Sequence, residues 1–273
     1  MATQADKART FQALHREGCF VIPNPWDAGS ARLLAGLGFS ALASTSAGLA
    51  FALARPDGAN RVDRAETVAN ARAIVEATDL PVSADLEDGF GARPEDAAET
   101  IRQGAAAGLV GGSIEDSTRA GKEPVYEMAH AADRVRAAAE AARALPFPFM
   151  LVGRAENFLH GRTDLADTIR RLQAYQEAGA NVLFAPGLRN RDEVASVIAS
   201  IDRPLNVLMG PGGATVADLA GLGVRRISVG GSLYRAACGG LMRAARELRE
   251  QGSFGYTADA TPHGELNALF SQG

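Results

Sequence analysis

The sequence predicts a single (β/α)8 (TIM) barrel over residues 1–273, with a C-terminal helix left over either to cap the barrel or to pack on a neighbouring subunit. Three observations predict it. Eight short apolar runs alternate with stretches of helical periodicity. One glycine-marked joint between helix and strand occurs four times. The length of 273 residues is close to the about 250 typical of such barrels.

The strand-like runs are Phe20–Ile22, Ala41–Thr45, Val82–Leu86, Gly112–Ile114, Phe149–Val152, Val182–Ala185, Asn206–Met209 and Ile227–Val229. Between them apolar residues recur at helical spacing, as in Ala31, Leu34 and Leu37, then Val68, Ile74 and Val75, then Leu165, Ile169, Leu172 and Tyr175. Asp63 followed by Glu66 reads as an N-cap with a capping box. Gly38, Gly108, Gly179 and Gly223 each close a helical run just before a strand, where a left-handed cap belongs. Repetition of that joint argues for β/α units and a parallel sheet. No GxGxxG follows the first strand, which disfavours a doubly wound sheet. After the eighth strand remain a long helix, Leu233–Gln251, and the tail 252–273.

A content of 47% hydrophobic and 22% charged residues is that of an ordinary globular protein. A net charge of −4 provides no basic field for nucleic acid and no polybasic membrane anchor. Cys19 and Cys238 make neither a disulfide framework nor a CxxC metal site, and are expected as small apolar residues in a reducing compartment. The polar segment Met1–Arg9 does not resemble a signal peptide, and no apolar run approaches the about 18 residues needed to cross a bilayer. A cytoplasmic location is the expectation.

Barrel enzymes take their chemistry from the C-terminal ends of strands. The third strand reaches Asp85-Leu86-Glu87-Asp88, and a period of two puts Asp85 and Glu87 on one face. The fourth ends in Ile114-Glu115-Asp116 and the fifth in Arg154-Ala155-Glu156. Carboxylates crowded at one mouth repel unless a cation sits among them. Hard oxygen donors suit Mg²⁺, with Mn²⁺ as the alternative, and Asp85, Glu87 and Glu115 are the expected ligands. The competing reading has these acids capping helices or pairing with arginines. Arg154 presents a planar fork that matches a carboxylate, or else pairs with Glu156 or Glu115. Small residues at Ser46, Ala47 and Gly48 let backbone N–H groups approach an anion. Gly210-Pro211-Gly212-Gly213 and Gly230-Gly231-Ser232 read either as a phosphate cradle or as tight turns. The four histidines show no zinc-type spacing.

These residues resemble the isocitrate lyase/phosphoenolpyruvate mutase superfamily. The resemblance runs from Phe11 to about Arg249, through Asn24-Pro25-Trp26-Asp27-Ala28, Ser46-Ala47-Gly48-Leu49, Pro56-Asp57-Gly58, Asp85-Leu86-Glu87-Asp88-Gly89-Phe90-Gly91, Ile114-Glu115-Asp116 and Arg154-Ala155-Glu156. It implies a barrel with Mg²⁺ near Asp85, Glu87 and Glu115, and a 2-oxo acid or its enolate on the metal. Asp57 matches a family aspartate near the substrate and Arg154 a carboxylate-gripping arginine. The backbone of Ser46, Ala47 and Gly48 matches the loop that receives the substrate's other end. A homotetramer, with the last helix packed on a neighbour, is the family habit.

One departure bears on mechanism. The lyases of this group carry a Lys-Lys-Cys-Gly-His type segment after the fourth strand, whereas this chain has Ser117-Thr118-Arg119-Ala120-Gly121-Lys122-Glu123-Pro124, without cysteine or histidine. The phosphonate branch has asparagine or threonine on this loop, which makes Thr118 a candidate catalytic residue. Lys122 and Glu123 read as proton carriers or, preferably, as solvated charges. The expected activity is Mg²⁺-dependent cleavage of a C–C bond in a small 2-oxo or 2-hydroxy di- or tricarboxylic acid, with Arg154, Asp57, Glu115 and Thr118 as catalytic candidates and Ser117–Pro124 as a lid. Phosphonopyruvate hydrolysis or phosphoenolpyruvate mutation, and a non-catalytic 2-oxo-acid binding protein, are the alternatives.

Overall fold

The computed structural model of the chain describes residues 2–118 and 123–271. Eight parallel strands surround one interior: β1 (Phe20–Ile22), β2 (Leu42–Ala43), β3 (Val82–Asp85), β4 (Gly111–Glu115), β5 (Met150–Arg154), β6 (Val182–Phe184), β7 (Leu205–Leu208) and β8 (Arg226–Ser228). Each lies on a run expected from the sequence. They pair in the order β1-β8-β7-β6-β5-β4-β3-β2, a nearly closed (β/α)8 barrel. The remaining seam is spanned differently. The Ala43 amide donates to the Pro23 carbonyl at 3.1 Å, and Asn24 Nδ2 donates to the Ala43 and Ser44 carbonyls, each at 3.0 Å. Asn24 Oδ1 meanwhile accepts from Val229 and Gly230 N–H. One side chain thus ties the ends of β1, β2 and β8.

The helices are α1 (Gln4–Leu14), α2 (Ala28–Gly36), α3 (Ser46–Ala52), α4 (Arg64–Glu76), α5 (Pro94–Ala106), α6 (Met128–Arg143), α7 (Leu165–Ala178), α8 (Arg191–Ile198), α9 (Val216–Gly221), α10 (Ser232–Gln251) and α11 (His263–Ser271). The capping box at α4 is present, with Glu66 N–H donating to Asp63 Oδ1 at 2.8 Å and Asp63 N–H to Glu66 Oε2 at 3.1 Å. Gly38, Gly108, Gly179 and Gly223 have φ of 86°, 100°, 110° and 95°, the left-handed conformation that their joints demand. No described helix is long and apolar enough to cross a membrane.

Two apolar layers hold the barrel. One packs the outer strand faces against α2 and α4–α9. The other fills the interior with Ile22, Ala43, Met150, Val152, Val182 and Phe184, and is stoppered by Ala8 and Phe11 of α1. Phe11 fits because β4 begins with glycine: a Cβ on Gly111 would lie 2.8 Å from the Phe11 ring and 2.9 Å from the Met150 carbonyl. Phe11 is fully buried, so Phe11→Ala is expected to cost about 3–5 kcal/mol in urea unfolding.

The C-terminal segment does two things. α11 returns to α2, where Arg32 Nη1 donates to the Phe270 carbonyl at 2.8 Å. α10 buries none of its residues and exposes Leu241, Met242 and Leu248.

Candidate active site

The turn after β3 is built to hold acids at the barrel mouth. Glu87 and Phe90 take positive φ, 47° and 61°, beside Gly89 at 80°. A Cβ on Gly89 would stand 2.9 Å from the Ala97 backbone, so this position requires glycine. Buried Arg134 of α6 bonds the Asp88 and Gly91 carbonyls, and Thr100 Oγ1 donates to the Gly89 carbonyl at 2.8 Å. Left-handed non-glycine residues cost about 1–3 kcal/mol each, and such strain persists only where surrounding structure enforces it.

Asp85 ends β3 and faces the interior. It accepts from Ser46 Oγ at 2.9 Å, from Glu87 N–H at 3.2 Å and from Arg154 Nη1 at 3.3 Å. Arg154 ends β5 and stands beside Glu115 in register across β4 and β5. Its Nη1 also lies 3.2 Å from Glu115 Oε2, and its Nε donates to Glu156. One guanidinium therefore serves three carboxylates contributed by β3, β4 and the end of β5. Burial opposes its charge, but Glu115, Glu156 and Asp85 outweigh burial and hold it firmly protonated.

The acids are under-compensated. Burial pushes the Glu115 carboxyl well above its ordinary range; Arg154 pulls it back, while Glu156, Asp85 and Glu87 push it further up. Burial likewise raises Glu156, against the pull of Arg154. Desolvation and then the charge of Asp85 raise Asp57. Such a set accommodates further positive charge. Among the described residues no three His, Cys, Asp or Glu side chains converge to hold an ion directly. That is compatible with Mg²⁺, which takes one or two carboxylates and keeps several waters.

Beside this cluster opens a cavity of about 220 Å³, whose lining includes Ser46, Ala47, Asp57, Asp85, Arg154 and Arg226. The structure thus brings together five residues expected from the sequence, with Glu115 bonded to Arg154 just behind them. The others sit elsewhere. Glu87 follows the strand in a left-handed turn, so strand alternation does not aim it; its backbone supports Asp85 and Glu115, and its charge raises Glu115. Ser46, Ala47 and Gly48 form the first turn of α3 rather than a loop, and the Gly48 N–H is taken by Thr45 Oγ1 at 3.3 Å. Thr118 turns its hydroxyl to the Glu123 carbonyl at 2.6 Å and does not line the cavity. Glu123 pairs with Arg162; Lys122 and the middle of the expected lid lie outside the described residues. Gly210, Gly212 and Gly213 make a tight turn away from the cavity, whereas Gly230 and Gly231 line it. His160 is exposed and bonded to Ser117.

Among the lining residues to which sequence reasoning gave no site role are Asn24, Asn206 and Arg226. Asn24 lay inside a quoted motif but without a role. Arg226 was visible only as part of a helix-to-strand joint, and its inward direction needs the strand register.

A family model described as phosphoenolpyruvate phosphomutase matches residues 11–249. An uncharacterised protein of Mycobacterium tuberculosis is 34% identical over 260 residues, covering 95% of each chain. An oxaloacetate decarboxylase of Pseudomonas savastanoi pv. phaseolicola is 31% identical over 265 residues, covering 91% of this chain and 87% of the other. Among solved structures, a Burkholderia cenocepacia J2315 protein provisionally described as a lyase/mutase is 53% identical. It superposes with a TM-score of 0.95 over 98% of this chain and 96% of its own.

Proposed function

Since this chain belongs to the phosphoenolpyruvate phosphomutase family, we propose that it is a Mg²⁺-dependent lyase, with Mn²⁺ as the alternative cation, that cleaves a C–C bond in a small 2-oxo di- or tricarboxylic acid. The observation that carries this reading is the acid cluster itself: three carboxylates share one guanidinium at the wall of a small cavity. Similarity to an oxaloacetate decarboxylase favours carbon–carbon over phosphorus–carbon chemistry.

Asp85 would hold the cation, with Glu115 and Glu87 fixing its waters. When bound, the cation supplies positive charge beside the 2-oxo oxygen, where negative charge develops as the bond breaks. Ser46 fixes the Asp85 carboxylate through its hydroxyl. Arg154 pairs with Glu115 and Asp85 in a buried setting and orients the substrate carboxylate. The Ser46 N–H, at the start of α3, also points at the Asp85 carboxylate from 3.5 Å, and Ala47 beside it lines the cavity. Asp57 lines the cavity with raised proton affinity, which suits it to hold a proton beside the substrate. The enzyme is taken to work in the cytoplasm as a homo-oligomer, a tetramer by family habit. The exposed apolar side chains of α10 are its expected contact, and sedimentation should return a multiple of the 28.4 kDa chain.

The test is a panel of 2-oxo and 2-hydroxy acids, including oxaloacetate, assayed with Mg²⁺ and with EDTA. Pyruvate or glyoxylate is the expected product, and EDTA should abolish its formation. Phosphate release from phosphonopyruvate would move the assignment to the phosphonate branch. Tight 2-oxo-acid binding without turnover would make the chain a binding protein.

A further inference from the structure

Arg226 differs from Arg154 in the one respect that matters for a ligand. Both line the same cavity, yet Arg154 is neutralised by three carboxylates and Arg226 by none. Arg226 opens β8, lies inside the barrel and is 5% exposed. Its Nε and Nη1 have no hydrogen-bond partner, and no ion pair to it is present among the described residues. Its described neighbours Phe11, His15 and Asn206 carry no negative charge. The Phe11 ring centroid is 5.9 Å from its Cζ. His15 is pushed down to about 3 by burial and by the Arg226 charge, so it is neutral. Asn206, its register partner on β7, gives Nδ2 to Ser228 Oγ and leaves Oδ1 without a partner. Burial alone lowers the Arg226 guanidinium to about 10, so it stays charged at neutral pH. A buried charge without a counter-ion is strongly unfavourable, and it persists where a ligand completes it.

We propose that Arg226 receives a second carboxylate of the substrate at the deep end of the cavity, and so selects dicarboxylic over monocarboxylic acids. This rests on the lyase reading above and deepens it. The metal cluster and Arg154 engage the 2-oxo acid end, and Arg226 engages the far end. A cavity of about 220 Å³ is below the range of drug-sized pockets and suits an acid of few carbons. Selection follows because a monocarboxylic acid would leave the guanidinium buried and unpaired in the complex as well.

Calorimetry of malate and of lactate, which differ by the second carboxylate, tests this on the Mg²⁺-loaded wild type, Arg226→Met and Arg226→Lys. Wild type should prefer malate by about 10- to 100-fold, as loss of a charge-assisted hydrogen bond implies. Arg226→Met should lose that preference with lactate affinity unchanged, and Arg226→Lys should recover part of it. Ligand-free Arg226→Met should melt no lower than wild type and up to a few degrees higher, because an uncompensated charge is gone. Equal malate binding in wild type and Arg226→Met, or no preference for malate in wild type, overturns the proposal. So does a bromide ion at Arg226 in soaked crystals together with unaltered malate affinity in Arg226→Met, which would make the residue a halide site. Oxalate binding that depends on Mg²⁺ and on Asp85 reports the metal site separately. Its failure would strike the lyase reading, whereas failure of the malate preference alone strikes only Arg226.

Discussion

Asp85→Ala is expected to abolish measurable Mg²⁺ binding and to lower kcat by about 10³-fold or more, the scale of losing a principal electrostatic element of a catalytic site. Asp85 is the carboxylate that both lines the cavity and belongs to the acid cluster. Without it the proposed cation would lose its proposed direct ligand, while Glu115 and Glu156 remain engaged with Arg154. The fold should survive, since Arg154 keeps two partners and only the end of β3 is altered. Calorimetric titration with Mg²⁺, alongside circular dichroism and a thermal melt, makes the comparison. Asp85→Asn should also lose the cation, because an amide oxygen can still accept from Ser46 but carries no charge. Unchanged Mg²⁺ affinity in a folded Asp85→Ala protein would remove the basis of the proposed function.

Arg154→Met is expected to destabilise the metal-free protein by about 3–5 kcal/mol at neutral pH, because removing one partner strands buried charge. Asp85, Glu115 and Glu156 would then face one another with no cation between them. The deficit should depend on pH. Glu115 already has a folded-state carboxyl raised above its ordinary 4.5 with Arg154 present. A raised acid binds its proton more tightly in the folded state than in the unfolded one. Its stabilising contribution is therefore full below about 4.5 and is lost as pH rises through the higher folded value. Arg154→Met should accordingly lie closer to wild type in urea melts at pH 5 than at pH 8, and Mg²⁺ should restore part of the loss at pH 8. A pH-independent deficit that Mg²⁺ leaves untouched would mean that the acids are not electrostatically coupled.

The local signals were legible. Every strand lies on an apolar run, and the Asp63 capping box and the four left-handed glycines stand where residue type placed them. The acids at strand ends were equally readable, because barrel topology assigns strand ends to one mouth. Glu87 was readable only in part: alternation assumes that the strand continues, and here it stops at Asp85 and gives way to a left-handed turn. Thr118 drew attention by residue type, but its hydroxyl satisfies a carbonyl within its own loop.

The sequence by itself determined the succession of β/α units, the ends of many helices and the set of acids available to the mouth, since each depends on neighbours a few residues apart. Only the tertiary structure decided how charge is shared. Arg154 lies among Asp85, Glu115 and Glu156 because three strands converge there; Asn24 spans the seam of the barrel; Arg226 points inward with no ion pair among the described residues. Electrostatic pairing and desolvation depend on distances across the barrel, between residues such as Asn24 and Gly230, 206 positions apart in the chain, and no local pattern encodes them.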